Sequence, residues 1–294
     1  MSLTIRATNS IFSGLNFVQS QMWTMTIQYS QNLTMQDIYV NSTSHNGNPA
    51  RNTDGLDVMY SDDITLRRWE VDNGDDGISL KGNSTNVLVE DSVLRTGQGF
   101  ALGSIGQYPD RFEVIENVMV RNVTCVKTKY GGYVKTWTGE QVNYPPNGGG
   151  GGTGCKSLPT PSLIASPLTH FADIRNITLT DLTFSRVRST AFSITQCTSF
   201  SGTAGDCDSS TFKISNISVN NFSGSINYNQ VALMQCSAAA GGCEGIEIGG
   251  IELQNLDSET KDEHPVADSY LCSNVVEPRG LECTGEVEDN PGGS

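Results

Sequence analysis

The sequence predicts an all-β solenoid, a single-stranded parallel β-helix, on three observations. A six-residue strand pattern recurs, a second apolar run follows most copies, and the chain is poor in charge and rich in glycine. The pattern is apolar, any, apolar, two polar, apolar. It reads "LTMQDI" from Leu33, "ITLRRW" from Ile64, "VMVRNV" from Val118, "ITLTDL" from Ile177, "ISVNNF" from Ile217 and "IELQNL" from Ile251, and "VLVEDS" from Val87 fits all but its last position. Each copy alternates as a strand does. The second runs are "LDVMYS", "GISLKG", "GFALGS", "GYVKTW", "AFSITQ" and "VALMQC". Units of 23 to 31 residues hold two or three short strands. A propeller blade needs four strands in about 40–45 residues, so a β-helix coil fits better, with longer intervals as loops that leave the coil. The competing explanation is a β-sandwich with chance similarity between strands.

The bulk numbers agree. Hydrophobic residues are 36% and charged residues 17% of 294, with 31 glycines, which suits short strands and turns. One β-helix domain over 1–294 is expected, with 258–294 as its C-terminal cap or tail. No segment approaches the ~20 apolar residues that cross a membrane. The net charge of −14 argues against nucleic acid, which is bound through Lys and Arg clusters.

Eight cysteines, an even number, read as disulfides. Spacing pairs Cys197 with Cys207, Cys236 with Cys243 and Cys272 with Cys283, which leaves Cys125 and Cys155 by elimination. None has the Cys-x-x-Cys spacing of a zinc site. Seven glycosylation sequons begin at Asn32, Asn41, Asn83, Asn122, Asn176, Asn216 and Asn221. With the cysteines they favour an extracellular protein, although Met1-Ser2-Leu3 opens no signal peptide.

The stretches "RNTDGLDVMY" and "VDNGDDGISL" carry the chemistry. Equivalent positions in successive coils stack about 4.8 Å apart. Aligned on Gly55, Gly77 and Gly99, which are 22 residues apart, the preceding residues Asp54, Asp76 and Gln98 form one column, with Asp75 beside Asp76. Solvated turns explain a lone Asn-Asp-Gly. Three converging carboxylates repel and raise at least one pKa. They also supply the acid and the base that glycoside hydrolysis needs.

The motifs "NTDG", "GDD", "GQGFALGSIGQY" and "YVKTWTG" resemble, in order and spacing, glycoside hydrolase family 28, the polygalacturonases and their relatives. The resemblance runs from about residue 20 to 283, with the "GSIGQY" segment closest to fungal exo-acting members. It implies a right-handed, pectin-lyase-like β-helix and inverting hydrolysis of α-linked pectic sugars without metal or other cofactor. By motif match Asp75 is the general acid, Asp54 and Asp76 activate water, and Lys135 binds a substrate carboxylate. An inverting pair places Asp75 about 6.5–9.5 Å from Asp54 or Asp76. The chain departs from the family at Gln98 and Tyr133, where members commonly carry His and Arg, so the sugar at the cleavage point differs or is less acidic. The family's N-terminal coils and cap are absent, which is expected to leave an adhesive open end here and a monomer for the full-length protein.

Asn52 and Lys81, near the carboxylates, are further candidate sugar contacts. Trp137, two residues past Lys135, is the best sugar platform, whereas Trp69 occupies a core position. Arg95 reads as solvated, and His45, His170 and His264 as loop residues. "PPNGGGGGTG" from Pro145 lacks the context of a phosphate loop and reads as a loop near the cleft or a linker. The expected function is exo-acting, galacturonidase-like hydrolysis of pectic chains. The alternatives are hydrolysis of rhamnogalacturonan or α-L-rhamnosides on the same fold, a sugar-binding β-helix without activity, and a Ca²⁺-dependent pectate lyase.

Overall fold

Copies of the six-residue pattern form strands of a ten-stranded sheet, and the second runs form strands of a nine-stranded sheet. The computed structural model describes residues 3–46, 48, 50–108, 111–139, 173–199, 206–256 and 265–287. The nine-stranded sheet holds β1 (Leu3–Ile5), β4 (Met25–Gln28), β6 (Leu56–Met59), β8 (Asp76–Leu80), β10 (Gly99–Ile105), β12 (Gly132–Trp137), β14 (Phe192–Thr198), β16 (Gln230–Gln235) and β18 (Ser269–Ser273) in that spatial order. The ten-stranded sheet holds β2 (Thr8–Ser13), β5 (Gln31–Asn41), β7 (Ser61–Asp72), β9 (Ser84–Arg95), β11 (Val114–Val126), β13 (Asp173–Val187), β15 (Lys213–Ile226), β17 (Cys243–Asn255) and β19 (Val275–Val276), with β3 (Asn16–Val18) also on β5. Every neighbouring pair shown is parallel, such as β6 with β8 and β7 with β9. The chain is a right-handed parallel β-helix, the hand that parallel crossovers take.

The core follows from the register. Leu33, Ile64, Val87, Val118, Ile177, Ile217 and Ile246 stack as one buried column. The last member corrects the sequence reading. The seventh copy is Ile246-Glu-Ile-Gly-Gly-Ile251, which pairs with Ile217–Phe222, and the similar "IELQNL" starts five residues too late. Gly249 and Gly250 replace the polar pair and hid the true copy.

The second polar position has a backbone cause. Asp37, Arg68, Asp91, Asn122, Asp181 and Asn221 all have φ between +52° and +56°, and so does the column Asn32, Asp63, Asn86, Asn117, Asn176 and Asn216, with φ +51° to +56°. Asn and Asp tolerate this left-handed bend best among non-glycine residues. Their side chains stack in ladders: Asn117 Nδ2 donates to Asn86 (3.0 Å), Asn176 to Asn117 (3.1 Å) and Asn122 to Asp91 (2.6 Å). Six of the seven sequon asparagines have left-handed φ, so the solenoid itself accounts for much of the sequon count.

The three spaced disulfides are formed, Cys197–Cys207, Cys236–Cys243 and Cys272–Cys283. The Cys125–Cys155 assignment is corrected. Cys125 is a free thiol, fully buried, paired in register with Leu94 and Phe184. Burial pushes its pKa up to about 12, so it is core packing. Cys155, the glycine-rich run, His170 and His264 lie outside the described residues. Within the expected cap, β18 adds a last rung to the nine-stranded sheet.

Candidate active site

The outer face of the nine-stranded sheet carries the carboxylates. Leu56 pairs with Ile78, which sets Asp54 and Asp76 on adjacent rungs as the glycine alignment requires. The Gly55 amide donates to the Asp76 carbonyl (2.9 Å), and a Cβ on Gly55 would meet the Gly77 carbonyl at 2.4 Å. Only glycine permits this rung spacing at the turn. At Gly99 the register slips by one, so the third rung does not repeat the first two strictly. Asn73 ties the turn together by donating to the Thr53 (2.9 Å) and Asp76 (2.7 Å) carbonyls.

One carboxylate oxygen from each of Asp54, Asp75 and Asp76 lies within 4.8 Å of the others. Rung spacing and chain adjacency hold these oxygens together. Asp54 and Asp76 are buried, 4% and 1% exposed, while Asp75 is half-buried. The Asn52 amide donates to Asp75 Oδ2 (2.8 Å) and the Asp76 amide to Oδ1 (3.0 Å). Asn52 thus reaches the site through its backbone.

The three differ in charge. Burial, then the neighbouring Asp76 and Asp57, push Asp54 up to about 9, so it keeps its proton at neutral pH. Burial opposes charge on Asp76 too, but Lys135, Lys81 and Tyr133 outweigh it and hold that carboxyl below the usual range. The Tyr133 hydroxyl donates to Asp76 Oδ1, while Lys135 Nζ sits 3.2 Å and Lys81 Nζ 3.6 Å from Oδ2. Lys135 also donates to the Tyr133 hydroxyl (3.0 Å). Tyr133 and Lys135 pair in register with Ala101 and Gly103, whose small side leaves room to reach across to Asp76.

Several expected sugar contacts stand elsewhere. Tyr133 is 6% exposed with its hydroxyl on Asp76, so it presents no free ring face. Lys81 is bound to Asp57, Asp76 and the Gly103 carbonyl. Trp137 is 7% exposed, too covered to act as a platform. Trp23 is half-buried with its ring 6.0 Å from Lys81 Nζ. Gln98 Oε1 is buried without a hydrogen-bond partner, and its backbone links the Asp75 carbonyl to Tyr130. Trp69 is core, Arg95 pairs with Glu70 on the surface, and His45 lies on an exposed loop beside Gln19.

Two residues were missed. Asp57 is fully buried beneath the cleft, and burial raises its pKa to about 6 against the pull of Lys81. Its signal was an acid inside the apolar run Leu56–Met59. Arg188 donates to the carbonyls of Thr96 (2.6 Å), Gly97 (3.0 Å) and Lys127 (2.8 Å), bracing the Gln98 turn. Nothing in sequence links it to that turn 90 residues away. Three close carboxylates are a set that a cation accepts. A proton on Asp54 and two ammonium groups on Asp76 make this set fit acid–base work better.

A buried acid with a raised pKa binds its proton more tightly when folded. Its contribution to stability is complete below the unfolded value near 4 and is lost as pH rises towards the folded value. For Asp54 that window runs from 3.8 to about 9. The urea midpoint should therefore fall from pH 4 to pH 9, and Asp54→Asn should flatten that slope. An unchanged slope in the variant contradicts the assignment.

The fold and this cleft define a β-helix protein with acid–base carboxylates on its outer sheet. Residues 2–144 match the family described as "Glycosyl hydrolases family 28". Over 281 residues the chain is 43% identical to "Alpha-L-rhamnosidase rgxB" of Aspergillus niger, covering 96% of this chain and 60% of that protein. It is 30% identical to "Putative galacturan 1,4-alpha-galacturonidase A" of Aspergillus flavus, covering 95% of this chain and 63% of that one. The endo-xylogalacturonan hydrolase structure from Aspergillus tubingensis superposes with TM-score 0.72 at 22% identity, over 96% of this chain and 68% of that chain, a likeness of fold. Residues 2–144 carry the match to glycosyl hydrolase family 28, and the chain spans less than two thirds of the length of these two curated relatives.

Proposed function

We propose that the chain is an inverting glycoside hydrolase that cleaves α-glycosidic bonds in pectic chains from the chain end. The observation that carries this is the convergence of Asp54, Asp75 and Asp76 with unequal charge. Asp75, the half-buried one, donates a proton to the glycosidic oxygen as its bond to C1 breaks. Asp76, ionised, takes a proton from the water that attacks C1 from the opposite face. Asp54 shares that water while holding its own proton. Gln98 offers an amide to the bound sugar. The disulfides and the family suit a secreted protein, and Asn41 is the one sequon asparagine outside the left-handed bends.

The site favours a rhamnoside over a galacturonide at the cleavage point. Lys81, Lys135 and the Tyr133 hydroxyl are engaged by Asp76, so a sugar carboxylate would meet cations already neutralised. A neutral deoxy sugar needs none of them. The name of the 43% identical relative points the same way.

Product analysis on homogalacturonan oligosaccharides, rhamnogalacturonan oligosaccharides and 4-nitrophenyl α-L-rhamnoside tests this. The rhamnose-containing substrates should be cut fastest and polygalacturonate slowly. Fastest cleavage of polygalacturonate overturns the rhamnoside reading, and release from none overturns the hydrolase. Tyr133→Arg with Gln98→His should not give a pure change of preference. Tyr133 donates to Asp76, so turnover on every substrate falls as well.

A further inference from the structure

We propose that Lys81, with Asp57 beneath it, is a positioning residue that fixes Asp76 as the ionised partner in the site and does not contact the substrate. The inference rests on the hydrolase reading only for its kinetic consequence. Lys81 Nζ lies 3.3 Å from Asp57 Oδ1 and 3.6 Å from Asp76 Oδ2, and it donates to the Gly103 carbonyl at 3.1 Å. An ammonium has three donors. One goes to the Gly103 carbonyl, the two carboxylates are its ion-pair partners, and 18% of the side chain is exposed. The Trp23 ring, 6.0 Å away, lies on the same ammonium.

Asp57 has no role in the chemistry above, yet it is a fully buried carboxylate on an outward-facing strand position. Its charged partner in the described structure is Lys81, and that contact is an ion pair without hydrogen-bond geometry. The arrangement is a row: Asp57, Lys81, Asp76, Lys135. Alternating signs let each buried charge stabilise the next, whereas Asp57 without Lys81 would be an unpaired buried charge. The opposing charges hold Lys81 protonated, against the effect of burial. Asp76 is faced by Asp54 and Asp57 from the rung below, by Asp75 beside it, by Lys81 just past the end of its own strand, and by Tyr133 and Lys135 from above. Of these, Lys81 and Lys135 are the cations, so removing Lys81 removes half of the positive charge.

The test is a carboxyl ¹³C NMR titration of aspartate-labelled protein, with Asp76 assigned by Asp76→Asn. In Lys81→Met the Asp76 midpoint should rise by about 1–3 units, the effect of losing a close opposite charge. Lys81→Met with Asp57→Asn leaves no orphan carboxylate, so it keeps the fold and should show the same rise. An Asp76 midpoint unmoved in the folded double variant overturns the proposal. On 4-nitrophenyl α-L-rhamnoside the same variants should lower kcat and move the acid limb of its pH profile upward. A raised KM with that limb unmoved assigns Lys81 to the sugar and overturns it too. A wild-type protein inactive on every substrate would refute the hydrolase reading, and the titration would still decide the role of Lys81.

Discussion

Asp75→Asn lowers turnover by at least about 10²–10⁴, the share that general acid catalysis provides. Asparagine has no proton of suitable acidity for the leaving oxygen. The structure changes what the variant does to stability. Asp75 accepts one backbone amide on each oxygen, from Asn52 and Asp76. The asparagine oxygen keeps one of these bonds, and its amide group faces the other donor. Relief of repulsion from the ionised Asp76 offsets part of that loss. The net cost should stay within about 1–3 kcal/mol, the range for one unsatisfied polar group. The checks are initial rates on the best pectic oligosaccharide and a urea titration. A folded variant with near-normal turnover removes Asp75 from the acid's role.

Asp76→Asn loses a comparable factor in turnover and much more stability. The side chain is 1% exposed and is held by Tyr133, Lys135 and Lys81. Removing one member of a buried charge group leaves its partners uncompensated, at a cost of about 3–5 kcal/mol. Both lysines keep some contact with water, 18% and 19% exposed, so the lower end applies. The two neighbouring variants therefore separate by function and environment: both are slow, and Asp76→Asn alone has a strongly lowered urea midpoint. Equal midpoints would mean that the cations do not hold Asp76 as described.

The sequence made the coil legible because the solenoid writes its geometry locally. An inward column needs apolar residues at fixed positions, and each left-handed bend selects Asn or Asp. Asp37 and Asn122 show this within single copies of the pattern. The Asp54–Asp76 juxtaposition was legible too, since Gly55 and Gly77 mark the same turn in successive coils. Tyr133 was not. Its contact with Asp76 depends on Ala101 and Gly103 being small on the rung between, a fact about three coils at once. Asp57 was not legible because its burial and its pairing with Lys81 depend on the next coil. Counting cysteines misled at Cys125, where the register with Leu94 was the better guide. Trp137 was misplaced because burial of an exposed-looking strand end depends on what covers it.

The stereochemistry of the first product reports directly on how Asp54, Asp75 and Asp76 divide the work. ¹H NMR of the first product released from an α-linked pectic oligosaccharide, recorded before mutarotation, is the direct test. Water delivered by Asp76 opposite the proton from Asp75 gives the β-anomer first. The α-anomer first, or an unsaturated product absorbing in the ultraviolet, would contradict it.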